Sequence, residues 1–279
     1  MVYMHYIASK PAESGSGVSH ATWIAISPDR NTADTLFRIL QDCQGKPLQL
    51  PGAGSGGAIM TPVGVERLSP QLWVLQAEEG AQLIASLSDA LAPHAHGMGP
   101  GSLDSALSSV AGKIFIYPLE QHLNPGAALQ PCENEHDYLS GHSFFIRRCG
   151  YPNTFWYCCG NLICLSTTKR SRFCVSIAQR TSSTNTPLVD QDEVAIEWVD
   201  CHERKRVVVE NNDWLTVKAN GSRTFRFSDF QRRFYLGNEG TGDNPDPLRL
   251  GATLDAVCWS SKHAFQDSFE LCYGVAPGD

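Results

Sequence analysis

Residues 141–179, GHSFFIRRCGYPNTFWYCCGNLICLSTTKRSRFCVSIAQ, and residues 188–236, LVDQDEVAIEWVDCHERKRVVVENNDWLTVKANGSRTFRFSDFQRRFYL, decide the fold. Both stretches consist of short alternating runs broken at close intervals by Gly, Asn, Asp and Pro, which is the pattern of antiparallel strands and tight turns. Eleven such runs lie between Ser143 and Tyr273, a strand density suited to a barrel or a trefoil. In Val194-Ala-Ile196-Glu-Trp198 the period of two places Val194, Ile196 and Trp198 on one face and predicts that Trp198 is buried.

The rest of the chain differs in charge and in core chemistry. Residues 1–139 hold 6 Lys+Arg against 13 Asp+Glu, whereas residues 140–279 hold 16 of each and 18 of the 26 aromatic residues. The expectation is therefore a small α/β unit over 1–139 and an all-β domain over 140–279, mainly β overall. In the first unit, Val2 to Ala8 and Thr22 to Ile26 read as strands. Asp29 to Gln41 reads as a helix capped by Thr32, Gln71 to Gln76 and Lys113 to Tyr117 as further strands, and Glu78 to Leu91 as an amphipathic helix.

The two long stretches also carry a faint repeat. Asn161-Leu-Ile-Cys-Leu with Ser171-Arg172-Phe173, and Asn212-Asp-Trp-Leu-Thr with Ser222-Arg223-Thr-Phe225, lie 51 positions apart. With the phrase NDWLTVKANG, residues 141–275 resemble β-trefoil proteins of the lectin and fascin-like kinds. The resemblance implies a β-trefoil, while a lipocalin-like or other antiparallel barrel fits nearly as well, and it carries no binding residue with it, because the one Gln-x-Trp, Gln71-Leu72-Trp73, lies in the other unit.

No phosphate loop, CxxC pair or metal-ligand spacing occurs. PGAGSGGAIM lacks the Lys-Ser/Thr of a P-loop, His94 and His96 lack a nearby carboxylate or thiol, and the acidic turn Asp190, Asp192, Glu193 reads as solvated rather than calcium-binding. No cofactor is expected. The ten cysteines read as small buried thiols, and without a signal-like N-terminus or an 18-residue apolar run the expected setting is cytoplasmic, with no membrane partner. Basic doublets beside aromatic strands are balanced by acids, so nucleic acid is not the expected partner.

Three functions remain. The leading one is a non-catalytic ligand-binding protein for a carbohydrate or small apolar ligand, with Trp156 and Trp214, each beside turn residues, lining a pocket mouth where an indole can stack on a sugar. The second is a Cys/His hydrolase or acyltransferase. The order of His20 before Cys132, and the run Cys132-Glu-Asn-Glu-His136, resemble circularly permuted NlpC/P60-like and lecithin:retinol acyltransferase-like proteins, with an extra residue before the His and no preceding Asn. That resemblance implies Cys132 as nucleophile and His20 as base. A third reading, a cofactor-free isomerase or cyclase, needs only a barrel cavity and one or two polar groups.

Overall fold

A computed structural model describes residues 2–10, 22–46, 48–49, 59–60, 64–76, 80–92, 107–119, 137–178, 186–201, 203–210, 213–237 and 255–273. Among the described residues the protein is mainly β, 47% strand against 15% helix. It separates into two compact units, Met1–Asp137 and Tyr138–Asp279.

The first unit is a mixed sheet with helices. Strands β1 (Tyr3–Lys10), β2 (Thr22–Ser27), β5 (Gly64–Ser69), β6 (Leu72–Gln76) and β7 (Phe115–Leu119) take the order β5-β6-β1-β2-β7. Only the β1–β6 pair is parallel. A separate two-stranded ladder joins β3 (Leu48–Gln49) to β4 (Ile59–Met60). Tyr3, His5 and Ile7 of β1 point inward with Trp73 and Leu75 of β6, against Leu36, Phe37 and Leu40 of α1 (Arg30–Asp42) and Leu83, Ile84 and Leu87 of α2 (Gly80–Leu91). The alternate residues Met4, Phe115 and Tyr117 are exposed on the other face.

Three local expectations need correction. The cap of α1 is Asp29, not Thr32: Asp29 has extended backbone before the first helical turn, and its carboxylate accepts the Thr32 N–H at 2.7 Å. Strand β7 runs past the expected end at Tyr117 through Pro118 to Leu119, because among the described strands β7 is at the sheet edge, where a missing N–H costs no ladder bond. Strand β5 was not expected at all. Its inward residues are Val65 and the charged Arg67, so apolar alternation is almost absent.

Arg67 lies in a buried polar cluster. Its Nε donates to both carboxylate oxygens of Asp137 at 3.0 and 2.9 Å, and Nη2 lies 2.8 Å from Asp34 Oδ1 and 2.8 Å from Asp137 Oδ1. The Nη2–Asp34 contact is close in distance but misdirected for a hydrogen bond. Arg30 pairs with Asp34 Oδ2 at 3.3 Å and Asp137 Oδ1 at 3.2 Å. Burial pushes the Asp34 carboxyl up from its usual range, partly offset by Arg67 and Arg30. Burial would lower Arg67, but Asp34 and Asp137 outweigh it and the guanidinium stays charged. Beside this cluster His5 packs 4.1 Å from Trp73, ring centre to ring centre, and neither of its nitrogens has a hydrogen-bond partner among the described residues. Burial, helped by Arg67, lowers its pKa to about 3.

Breaking the buried ion cluster differs from removing the unpaired imidazole. Arg67→Met removes the closer of the two cations on buried Asp34, leaving Arg30 at 3.3 Å, and should cost about 3 kcal/mol, the low end for a broken buried pair. His5→Phe removes two unsatisfied nitrogens and should be neutral or stabilising at neutral pH. Because His5 titrates near 3 in the fold and near 6.5 unfolded, only the unfolded chain takes up its proton between those values. Its contribution therefore destabilises the fold progressively as pH falls from 6.5 to 3. Urea melts across this range should show a shallower acid loss for His5→Phe than for the natural chain, and equal slopes would contradict the assignment.

The second unit contains all eleven expected strands: β8 (His142–Arg148), β9 (Phe155–Cys159), β10 (Leu162–Ser166), β11 (Arg172–Ile177), β12 (Glu193–Val199), β13 (Arg204–Val209), β14 (Leu215–Lys218), β15 (Phe225–Arg226), β16 (Phe234–Gly237), β17 (Ala256–Trp259) and β18 (Phe269–Cys272). The path β14-β13-β12-β11-β8-β9-β10 closes on itself where Leu162 pairs with Thr216, giving a seven-stranded antiparallel barrel. Strand β17 joins β10 and β16, β18 joins β8, and β15 joins β12. A single short helix, α3 (Asp229–Arg232), follows β15 among the described residues. Inside, Trp156 meets Phe173, Phe230, Phe234 and Phe269 at ring separations of 5.6, 6.0, 5.1 and 5.6 Å. Val194 and Ile196 are fully buried, as their alternation predicts, while Trp198 on the same face is only half-buried near the strand end, with Lys205 over its ring.

Candidate functional site

Strands β14, β17 and β16 bring an aromatic row to the outward face of the barrel. Cys258 of β17 lies opposite Tyr235 on one side and opposite Trp214, just before β14, on the other. Side chains directly opposite in antiparallel strands share a face, so Trp214, Cys258 and Tyr235 stand in line. Val257 and Trp259 occupy the other face, in the core. The Tyr235 ring stacks on Phe265 at 3.9 Å and 18°, and His263 meets the edge of Phe265 at 6.5 Å. Trp214, Tyr235 and Phe265 are all half-buried, which leaves part of each ring open to solvent.

Close backbone approach makes the row possible. A Cβ at Gly237 would lie 2.8 Å from Cys258 Sγ and 3.6 Å from Trp214 Nε1, so glycine lets the thiol and the indole close over the strand. Asp213 is the one described non-glycine residue with positive φ, at 65°, and it is exposed. The strained turn turns its carboxylate toward the row, where Oδ2 accepts the Tyr235 hydroxyl at 3.4 Å. Burial, then the neighbouring Cys258 and Asp213, raise the Tyr235 phenol to about 12. Stacked rings beside a hydroxyl and a fixed carboxylate can hold a flat ligand by its face and its polar edge.

The expected site residues separate. Trp214 stands in this row. Trp156 does not line a mouth: it is fully buried, with four phenylalanines around it and its Nε1 unpaired among the described residues. Both tryptophans flank turns in the sequence, but Trp156 lies opposite Leu165 on the inward side of the β9–β10 hairpin. His20 and Cys132 lie outside the described residues. Burial pushes the thiols of Cys158, Cys258 and Cys272 up to about 11, the reverse of nucleophile activation.

In the acidic turn, Asp192 is buried and accepts the Val189 N–H at 2.8 Å, a local cap. No group of three or more His, Cys, Asp or Glu among the described residues is placed to hold a metal ion. No described helix is long and apolar enough to cross a membrane. Tyr235 and Phe265 carry no sequence signal because they lie 21 and 51 residues from Trp214, and Asp213, although adjacent to Trp214, is marked only by its left-handed backbone. No family model matches the chain, and no curated protein matches it.

Asp213→Gly tests whether the turn is strained for the carboxylate's sake. Glycine accepts the left-handed backbone freely, so stability should be unchanged or higher by up to about 1 kcal/mol in urea melts. The Tyr235 phenol should drop from about 12 without reaching 10 in ultraviolet titration, because burial and Cys258 remain.

Proposed function

We propose that the second unit is a non-catalytic ligand-binding module of β-trefoil type, and that carbohydrate is its ligand. The trefoil reading rests on the three hairpins β9–β10, β13–β14 and β16–β17, whose strands β10, β14 and β17 pair with one another at Leu162–Thr216, Cys164–Ala256 and Trp214–Cys258. Further support comes from the 51-residue echo: Asn161 immediately precedes β10, Leu215 and Thr216 begin β14, and Ser171 and Ser222 lie before β11 and β15. The ligand reading rests on one observation, the half-open row Trp214, Tyr235 and Phe265 beside the Asp213 carboxylate. A sugar ring presents C–H groups on one face and hydroxyls at its rim, which suits an aromatic platform with an edge acceptor.

A glycan array with the 279-residue chain tests this. Binding should be lost, by tenfold or more in affinity, in Trp214→Ala with the fold retained. Trp156→Ala serves as a contrast: it should lose about 3–5 kcal/mol of stability, as deletion of a buried indole does. Binding to no glycan, or glycan binding indifferent to Trp214→Ala, removes the proposal.

A further inference from the structure

Helices α1 and α2 pack on one face of the five-stranded sheet of the first unit, and the other face carries two cross-strand rows of apolar side chains. In the first row, Met4 of β1 lies opposite Ile26 of β2, which lies opposite Phe115 of β7. In the second, Tyr6 lies between Leu72 of β6 and Ile24, and Ile24 lies opposite Tyr117. Neither row contains a charged side chain. Met4, Phe115 and Tyr117 are 50, 47 and 52% exposed, so this face stays open to solvent in the single chain. Contiguous apolar surface of this kind marks a contact site.

We propose that the face pairs with the same face of a second copy of the chain, forming a two-fold dimer. A twisted apolar sheet is matched in shape by another twisted sheet about 10 Å away, with the two inner faces interdigitating. The face is complementary to itself across a two-fold axis that runs along the β1–β2 boundary. The rings of Phe115 and Tyr117 stand on the β7 side, and the shorter Leu72 and Val74 stand on the β6 side. That axis sets the rings of each copy over the aliphatic side chains of the other, large against small.

The available area sets the strength. Five strands about 4.8 Å apart, with outward runs of about five residues, give a face of roughly 24 by 17 Å. Two such faces bury on the order of 1,000 Å² once side-chain relief is counted, the lower end of specific interfaces, so the dimer is reversible and micromolar. Charge argues against an ionic partner. Residues 1–139 hold 6 Lys+Arg against 13 Asp+Glu, which draws cations toward the unit, but Glu66 shares this face only at the edge strand β5, opposite Val74, and the two rows offer a cation no carboxylate. Two copies repel through the same excess of acid, and added salt screens that repulsion. The pairing uses no residue of the row at Trp214 and is independent of glycan binding.

Sedimentation velocity of the 279-residue chain, from about 1 to 100 μM and at about 50 and 500 mM salt, tests the pairing. The expected result is a monomer–dimer equilibrium with a micromolar Kd that tightens at the higher salt. Tyr117→Lys and Met4→Lys, at exposed positions on different strands, should each weaken it about tenfold or more, because a two-fold interface carries the buried charge twice. Tyr151→Ser, which removes an exposed ring of the second unit, should leave Kd unchanged. A melting curve like that of the natural chain establishes that each variant is folded, and where one lysine variant is not, the other carries the test. A monomer throughout the concentration range overturns the proposal. So does a dimer indifferent to both lysine substitutions, one that Tyr151→Ser loosens equally, or one that loosens as salt rises. A chain that stays monomeric yet cosediments with phosphatidylcholine vesicles, and no longer does so in Tyr117→Lys, also overturns it and assigns the face to lipid.

Discussion

Trp156 holds the second unit together. Its indole is the one surface that Phe173 of β11, Phe230 of α3, Phe234 of β16 and Phe269 of β18 all touch, three of them in edge-to-face geometry. Those elements span nearly a hundred residues of chain and share no hairpin, so the barrel and the strands that branch from it converge on one large side chain. Aromatic pairs of this kind contribute roughly 0.5–1.5 kcal/mol each beyond the area they bury. The unpaired Nε1 is a cost accepted for that volume.

With the interior filled by aromatics, polar and charged chemistry is displaced to the outward positions of the same strands. The ladder that turns Val257 and Trp259 inward necessarily turns Cys258 outward, beside Tyr235 and Trp214. The register that buries Phe144 and Ile146 likewise sets Phe145 on the outer face, where Arg170 and Arg172 cover it. Both outward arrangements are thus by-products of strand register, and a slip of one residue would exchange core and surface at each.

The first unit shows the opposite economy. Arg67, Asp34 and His5 occupy inward positions that apolar residues could fill at lower desolvation cost. Asp34 is held there by α1, Arg67 by β5, and Asp137, the last residue of the unit, closes on both arginines. The ion cluster is therefore a directional tie between helix, sheet edge and the end of the unit, where a greasy contact would allow several arrangements.

Sequence by itself determined the strand inventory of the second unit, because each run carries its own period of two and its own turn residues, as in Val194-Ala-Ile196 or Leu162 to Ser166. It also determined helices α1 and α2 of the first unit through the spacing of Leu36, Phe37 and Leu40 and of Leu83, Ile84 and Leu87. Strand β5 escaped because Arg67 interrupts the alternation it should have shown. Only the tertiary structure decided that Trp156 is core and Trp214 is surface, that Tyr235 and Phe265 join Trp214, and that two arginines share Phe145. The reason is physical: alternation tells which residues of a strand share a face, but which face is covered depends on strands and helices contributed by distant parts of the chain.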